Sequence, residues 1–192
     1  MPRGSLRQQP DHRSSPEQYA YLFNAEQIEV VDPGGIFPDG EHDLFQREPF
    51  VARFRARHGG ETFALITVHT APDAAVAEIS ALDAVFTWAQ QRWPDETEVF
   101  ALGDFNASCN YATPAHLDQL AIRGAGYSWI VPDDADTNVS QNVCAYDRVV
   151  ATPDGAAMYA VRWGVENTAF DPAQVDLSDH WPVWIAVRAR AH

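Results

Sequence analysis

The chain has 192 residues, enough for one domain with a proper core, and its 46% hydrophobic content with six Trp argues against disorder. Lys and Arg total 13 against 27 Asp and Glu, a formal charge of −14, which argues against broad, non-specific nucleic-acid affinity through a basic face. It leaves room for local neutralisation of one phosphate by a divalent cation and a few placed Arg.

Residues 1–15 are polar, carry Arg3, Arg7 and Arg13, and have no apolar h-region. They are expected to form a loose arm that is not a signal peptide, ahead of one domain over residues 16–192. No apolar run approaches transmembrane length, so no membrane partner is expected. Residues 18–23 and 27–31 read as strands joined by a turn at Asn24-Ala25. Residues 32–43, with Pro33, Gly34, Gly35, Pro38 and Gly40, read as a loop. Residues 50–55 alternate as a half-buried strand does, and after a Gly59-Gly60 turn residues 63–68 form an apolar strand ending at His69.

The period then changes. Val76, Ile79, Leu82, Val85, Phe86 and Ala89 recur at three and four residues, one face of a helix opened by Pro72-Asp73 and closed before Pro94. A buried strand follows over residues 99–102, and this β-α-β succession signals a layered α/β fold. Further on come a short helix at 114–120, an aromatic strand at 127–131 and a polar loop at 133–142. Strands at 148–151, 158–163 and 181–187 complete the chain. No internal repeat and no dividing linker is visible.

Short polar residues at strand ends are where α/β folds place their chemistry. Asp104 and Asn106, in Gly103-Asp104-Phe105-Asn106-Ala107, are oxygen donors suited to a hard cation. Asp179-His180 opens the last strand-like run. Together they suggest metal-assisted phosphoester hydrolysis. Cys109 and Cys144 lie close to these segments. They read either as a disulfide, which implies an oxidising compartment, or as two buried thiols.

Five segments in order carry a specific likeness: Thr67-Val68-His69-Thr70-Ala71-Pro72, Ala77-Glu78-Ile79, Gly103-Asp104-Phe105-Asn106-Ala107, Cys144-Ala145-Tyr146-Asp147-Arg148-Val149-Val150 and Ser178-Asp179-His180. From about Glu17 to the last strand the chain resembles the endonuclease/exonuclease/phosphatase superfamily, and within it the deoxyribonuclease I family. The resemblance implies an α/β sandwich of two mixed β-sheets with helices outside. It also implies metal-dependent hydrolysis of DNA phosphodiesters by in-line attack of water. Other branches of the superfamily offer a second reading, a phosphatase or an abasic-site nuclease. A third is a non-catalytic remnant or fragment that binds nucleic acid or protein.

The resemblance also assigns residues. His69 with Glu17, and His180 with Asp147, are the expected acid–base dyads; the alternative for Asp147 is a surface ion pair with Arg148. A carboxylate beside an imidazole fixes its tautomer and raises its pKa. Asp104, Asn106 and Asp179 are expected to hold Mg²⁺ or Mn²⁺, or the phosphate. Arg47, Tyr111, Asn142 and Tyr146 are expected near DNA, while Ser15 stands where the family carries a groove-contacting Tyr. Structural Ca²⁺ is expected at Asp136, Asn138 and Ser140, and at Asp39, Asp43 and Glu48. The family's small disulfide between the positions of Asp39 and Asp43 is absent. The resemblance moves Cys109 and Cys144 toward a disulfide, and with it toward a secreted or periplasmic protein. The family's opening strand with its Asn, the following helix and the strand bearing a metal-binding Glu have no counterpart in residues 1–15. An unpaired strand edge with exposed apolar surface is expected in consequence.

Overall fold

The computed structural model describes residues 3–7, 17–168 and 178–187. At its centre is a six-stranded mixed sheet in the order β3-β4-β5-β6-β8-β7. Its strands are β3 (Ile28–Ile36), β4 (Phe50–Ala56), β5 (Thr62–His69), β6 (Val99–Asp104), β7 (Ser128–Trp129) and β8 (Asp147–Ala151). β5 and β6 are parallel and joined by α1 (Ala75–Arg92); the other pairs are antiparallel.

Period-two alternation decides both faces of this sheet. Ala64, Ile66, Val68, Val99, Ala101 and Val150 turn to α1 and share its core. Phe63, Leu65, Phe100, Leu102, Val149 and Ala151 turn the other way. On the α1 side, Ile79, Leu82, Val85 and Phe86 are fully buried. Each contributes about 1.5–3 kcal/mol of transfer free energy. The helix ends where the Trp93 N–H bonds the Ala89 carbonyl, just before Pro94.

The second layer consists of two antiparallel ribbons, β1 (Arg3–Arg7) with β2 (Ala20–Asn24), and β9 (Tyr159–Val165) with β10 (Val183–Val187). Where one mixed second sheet was expected, the described residues form these two separate pieces. Beside β10, over the faces of β4, β5 and β6, lies an apolar cavity of about 320 Å³ lined by residues including Phe63, Leu65, Leu102 and Ile185.

Four elements differ from expectation. Arg3–Arg7 is a strand rather than part of a loose arm, because Leu6 packs into the aromatic cluster of Tyr21, Phe23 and Phe54. β3 runs on through the Pro-Gly-Gly segment to Ile36, by register shifts at Asp32 and Gly35 that absorb the turn-forming residues. Gly34 sits there at φ 66°, and a Cβ would meet the Val51 carbonyl oxygen at 1.7 Å. A short helix, α3 (Pro153–Met158), follows β8, and the 114–120 helix is only α2 (Pro114–Leu117). No helix among the described residues is long and apolar enough to cross a membrane.

Candidate active site

Three strand ends make the floor of the site. In the parallel β5–β6 pair His69 lies opposite Asp104, and in the antiparallel β6–β8 pair Asp104 lies opposite Asp147. All three continue the sheet face turned away from α1, since each is an even number of residues from Leu65, Leu102 or Val149. Gly103 makes the close approach possible: at φ 140° a Cβ there would lie 1.9 Å from the Val68 carbonyl oxygen.

The remaining members arrive from loops. His180 Nδ1 lies 2.7 Å from Asp147 Oδ2, and His69 Nδ1 lies 2.8 Å from Glu17 Oε2. A carboxylate only accepts, so each Nδ1 carries the proton and each Nε2 is presented to the centre. There both meet the same oxygen: Asp104 Oδ2 is 3.3 Å from His69 Nε2 and 3.6 Å from His180 Nε2. The hydrogen bond that His180 donates to Asp147 pushes the His180 pKa up to about 9 against the opposing effect of burial, with further help from the charges of Asp147, Asp104 and Asp179. Burial raises Asp104, outweighing the Asn106 N–H and the His180 charge; Asp147 adds to the rise.

Backbone anchoring explains why these groups hold still. The buried Thr137 hydroxyl accepts from the N–H groups of Tyr146 at 3.0 Å and Asp147 at 3.1 Å. Asn138 bridges to His180, and Trp181 N–H bonds the Thr137 carbonyl at 2.8 Å. The Tyr19 hydroxyl accepts from His69 N–H at 2.9 Å, and burial pushes its pKa up to about 12. Thr137, Tyr19 and Glu78 were not assigned site roles from the sequence. Only Glu78 left a signal there, as a carboxylate on the apolar face of α1.

Asn106, at φ 48°, donates its N–H to Asp104 Oδ1 at 2.8 Å and its Nδ2 to the Thr70 carbonyl at 2.9 Å. Its amide oxygen is therefore turned away from that carbonyl. Arg148 does not pair with Asp147 as a surface residue. It is buried, bonds the carbonyls of Val131 and Ala107, and pairs with Asp133 at 3.0 Å. Asp147 is left to His180.

Tyr111 and Tyr146 extend the site as a chain of rings, 5.5 Å apart, with Tyr146 5.9 Å from the His180 ring. Asn142 is exposed and gives its carbonyl to Asn138 Nδ2 at 2.8 Å. Arg47 turns inward, to the carbonyls of His69 and Thr70. Cys109 and Cys144 form a disulfide across 35 residues, tying the loop after Asp104 to the segment before Asp147. Ser15 lies outside the described residues.

Asp104, Asp147 and His180 each place one ligand atom within 4.8 Å of the others. Of these, Asp104 offers the hard oxygen donor that suits a divalent cation, while Asp147 and His180 are engaged with each other. Asp179 is exposed beside them. Asp39, Asp43 and Glu48 are not drawn into a comparable cluster; Asp39 is buried and closes its own loop by accepting Phe45 N–H at 3.2 Å. In the other loop, Asn138 donates to Asp136 Oδ1 at 3.2 Å and accepts Ser140 N–H at 2.8 Å.

No protein-family model matches the chain. It is 35% identical over 190 residues to deoxyribonuclease-1 of Sus scrofa, covering 90% of this chain and 64% of that protein. It is 32% identical over 186 residues to deoxyribonuclease-1 of Ovis aries, covering 89% and 70%. The chain thus spans somewhat under two-thirds of the length of the porcine relative. Among solved structures, the endonuclease domain of TRAS1, a telomere-specific non-LTR retrotransposon, superposes with a TM-score of 0.64 at 16% identity, covering 97% of this chain and 80% of that domain. At that identity the likeness concerns the fold.

Proposed function

The chain belongs to the deoxyribonuclease I family, and on that premise we propose that it hydrolyses DNA phosphodiester bonds with the help of a divalent cation. The single observation that carries this reading is the convergence of two His–carboxylate dyads on one oxygen of Asp104. Phosphodiester hydrolysis needs a proton taken from water and a proton given to the leaving oxygen. Two imidazoles, each with Nδ1–H held by a carboxylate and Nε2 facing the centre, can do both. One Nε2 accepts the proton of the attacking water, and the other delivers a proton to the departing oxygen. Glu17 and Asp147 keep the tautomers and stabilise the imidazolium forms.

Asp104, with Asn106 and Asp179, is assigned to Mg²⁺ or Mn²⁺ and the scissile phosphate; the cation would offset charge accumulating on the phosphoryl oxygens. Tyr111, Tyr146 and Asn142 form the flank along which the DNA backbone would run. The 136–140 loop is the proposed place for a structural Ca²⁺, with Asp136 as its carboxylate. The disulfide supports an oxidising compartment, secreted or periplasmic.

A plasmid-nicking assay with Mg²⁺ and Ca²⁺ tests the reading. Conversion of supercoiled to relaxed DNA is expected, abolished by EDTA and by His69→Ala or His180→Ala. Absence of nicking by soluble folded protein, or nicking indifferent to both substitutions, overturns it.

A further inference from the structure

Arg47 belongs to the loop before β4, and its side chain is only 12% exposed. Nε donates to the His69 carbonyl and Nη2 to the Thr70 carbonyl, both at 2.9 Å. Nη1 lies 3.5 Å from Glu17 Oε1. One guanidinium therefore grips both the backbone that carries His69 and the carboxylate bonded to its ring. A planar, rigid fork can span these acceptors; a lysine ammonium cannot.

Glu78 works on the same two segments from the first turn of α1. It is 2% exposed. Oε1 accepts Gln46 N–H and Oε2 accepts Ala71 N–H, each at 3.0 Å. It thus binds the residue before Arg47 and the residue two beyond His69. The 46–47 loop and the 69–71 turn are locked together by two oppositely charged side chains.

We propose that Arg47 and Glu78 are positioning residues that hold the His69–Glu17 dyad in working geometry, and that Arg47 acts inward on this dyad rather than outward on DNA. The kinetic part of this assignment rests on the phosphodiesterase reading. A misplacement of about 1 Å at a reacting group can cost on the order of 100-fold in rate.

The experiment compares wild type with Arg47→Ala, Arg47→Lys and Glu78→Gln in two measurements. In nicking kinetics across a salt series, each variant is expected to lose about 10- to 100-fold in kcat with KM and salt slope unchanged. Added guanidinium ion is expected to recover part of the kcat of Arg47→Ala. A groove contact predicts the reverse: KM rises, the salt slope falls by about one ion and kcat holds, which overturns the proposal. The second measurement needs no activity. The downfield, slowly exchanging Nδ1 proton of His69, assigned by its absence in His69→Gln, is expected to vanish in Arg47→Ala while that of His180 persists. Its persistence in Arg47→Ala overturns the proposal even if wild type does not nick, an outcome that by itself sinks only the nuclease reading. Arg47→Lys keeps the charge and the aliphatic stem, so it carries both measurements if Arg47→Ala does not fold.

Discussion

The two His–carboxylate pairs address the same Asp104 oxygen but are built in opposite ways. In one pair the histidine is the strand residue: His69 ends β5, and its carboxylate comes from Glu17, outside the central sheet. In the other the carboxylate is the strand residue: Asp147 begins β8, and His180 comes from the segment before β10. The exposures follow this plan. The side chains of His180 and Asp147 are 23% and 18% exposed, those of His69 and Glu17 34% and 47%. Among the described residues the sheltered pair is held by the Thr137 hydroxyl, the Asn138–His180 bridge and the Trp181 N–H on the Thr137 carbonyl. The open pair is braced by Arg47, Glu78 and Tyr19. An exposed ion pair in water contributes little by itself, so orientation there must come from neighbouring hydrogen bonds.

The largest effect is expected where the comparison collapses. Asp104→Ala removes the oxygen both imidazoles face and should lower nicking by about 1,000-fold or more, as read from single-turnover rates. Next comes the contrast between the dyads themselves. Asp147→Asn should cost about 100-fold and Glu17→Gln about 10-fold, because water can partly replace an exposed partner and a sheltered one has no substitute. Equal losses would break the distinction.

A smaller effect separates support from chemistry. Thr137→Val strands the N–H groups of Tyr146 and Asp147 and should destabilise the fold by about 2 kcal/mol in denaturant titrations. Thr137→Ser should restore most of that.

In EDTA the stability should also depend on pH. The His180 pKa is raised from 6.5 to about 9 by Asp147, so protonation favours the folded state. This contribution is fully present below pH 6.5 and is lost as pH rises through about 9. Melting curves between these limits should show it in wild type and not in Asp147→Asn.

Much of this scaffold can be read from residue order alone. An apolar run, then a period of three to four residues, then a second apolar run reveal β5, α1 and β6, because those patterns are imposed by which side chains must leave water. The five ordered motifs, with His69, Asp104, Asp147 and His180 among them, point to the family before any coordinate is known. Elsewhere local chemistry misleads. Turn-forming Pro33, Gly34 and Gly35 sit inside β3, because pairing with β4 tolerates register shifts. Polar Arg3–Arg7 forms a strand because Leu6 finds an aromatic cluster contributed by β2 and β4. Arg47 carries no mark in its sequence context of facing inward.

The sequence by itself therefore determined the layered α/β class, the family and the identity of the two histidines and their carboxylates, since periodicity and motif are local properties of the chain. Only the tertiary structure decided that His69, Asp104 and Asp147 stand in one row, that Cys109 meets Cys144, and that Arg47 and Glu78 brace the open dyad. Strand register is set by pairing between segments dozens of residues apart, and the direction of a long side chain is set by whichever acceptors that pairing brings within reach.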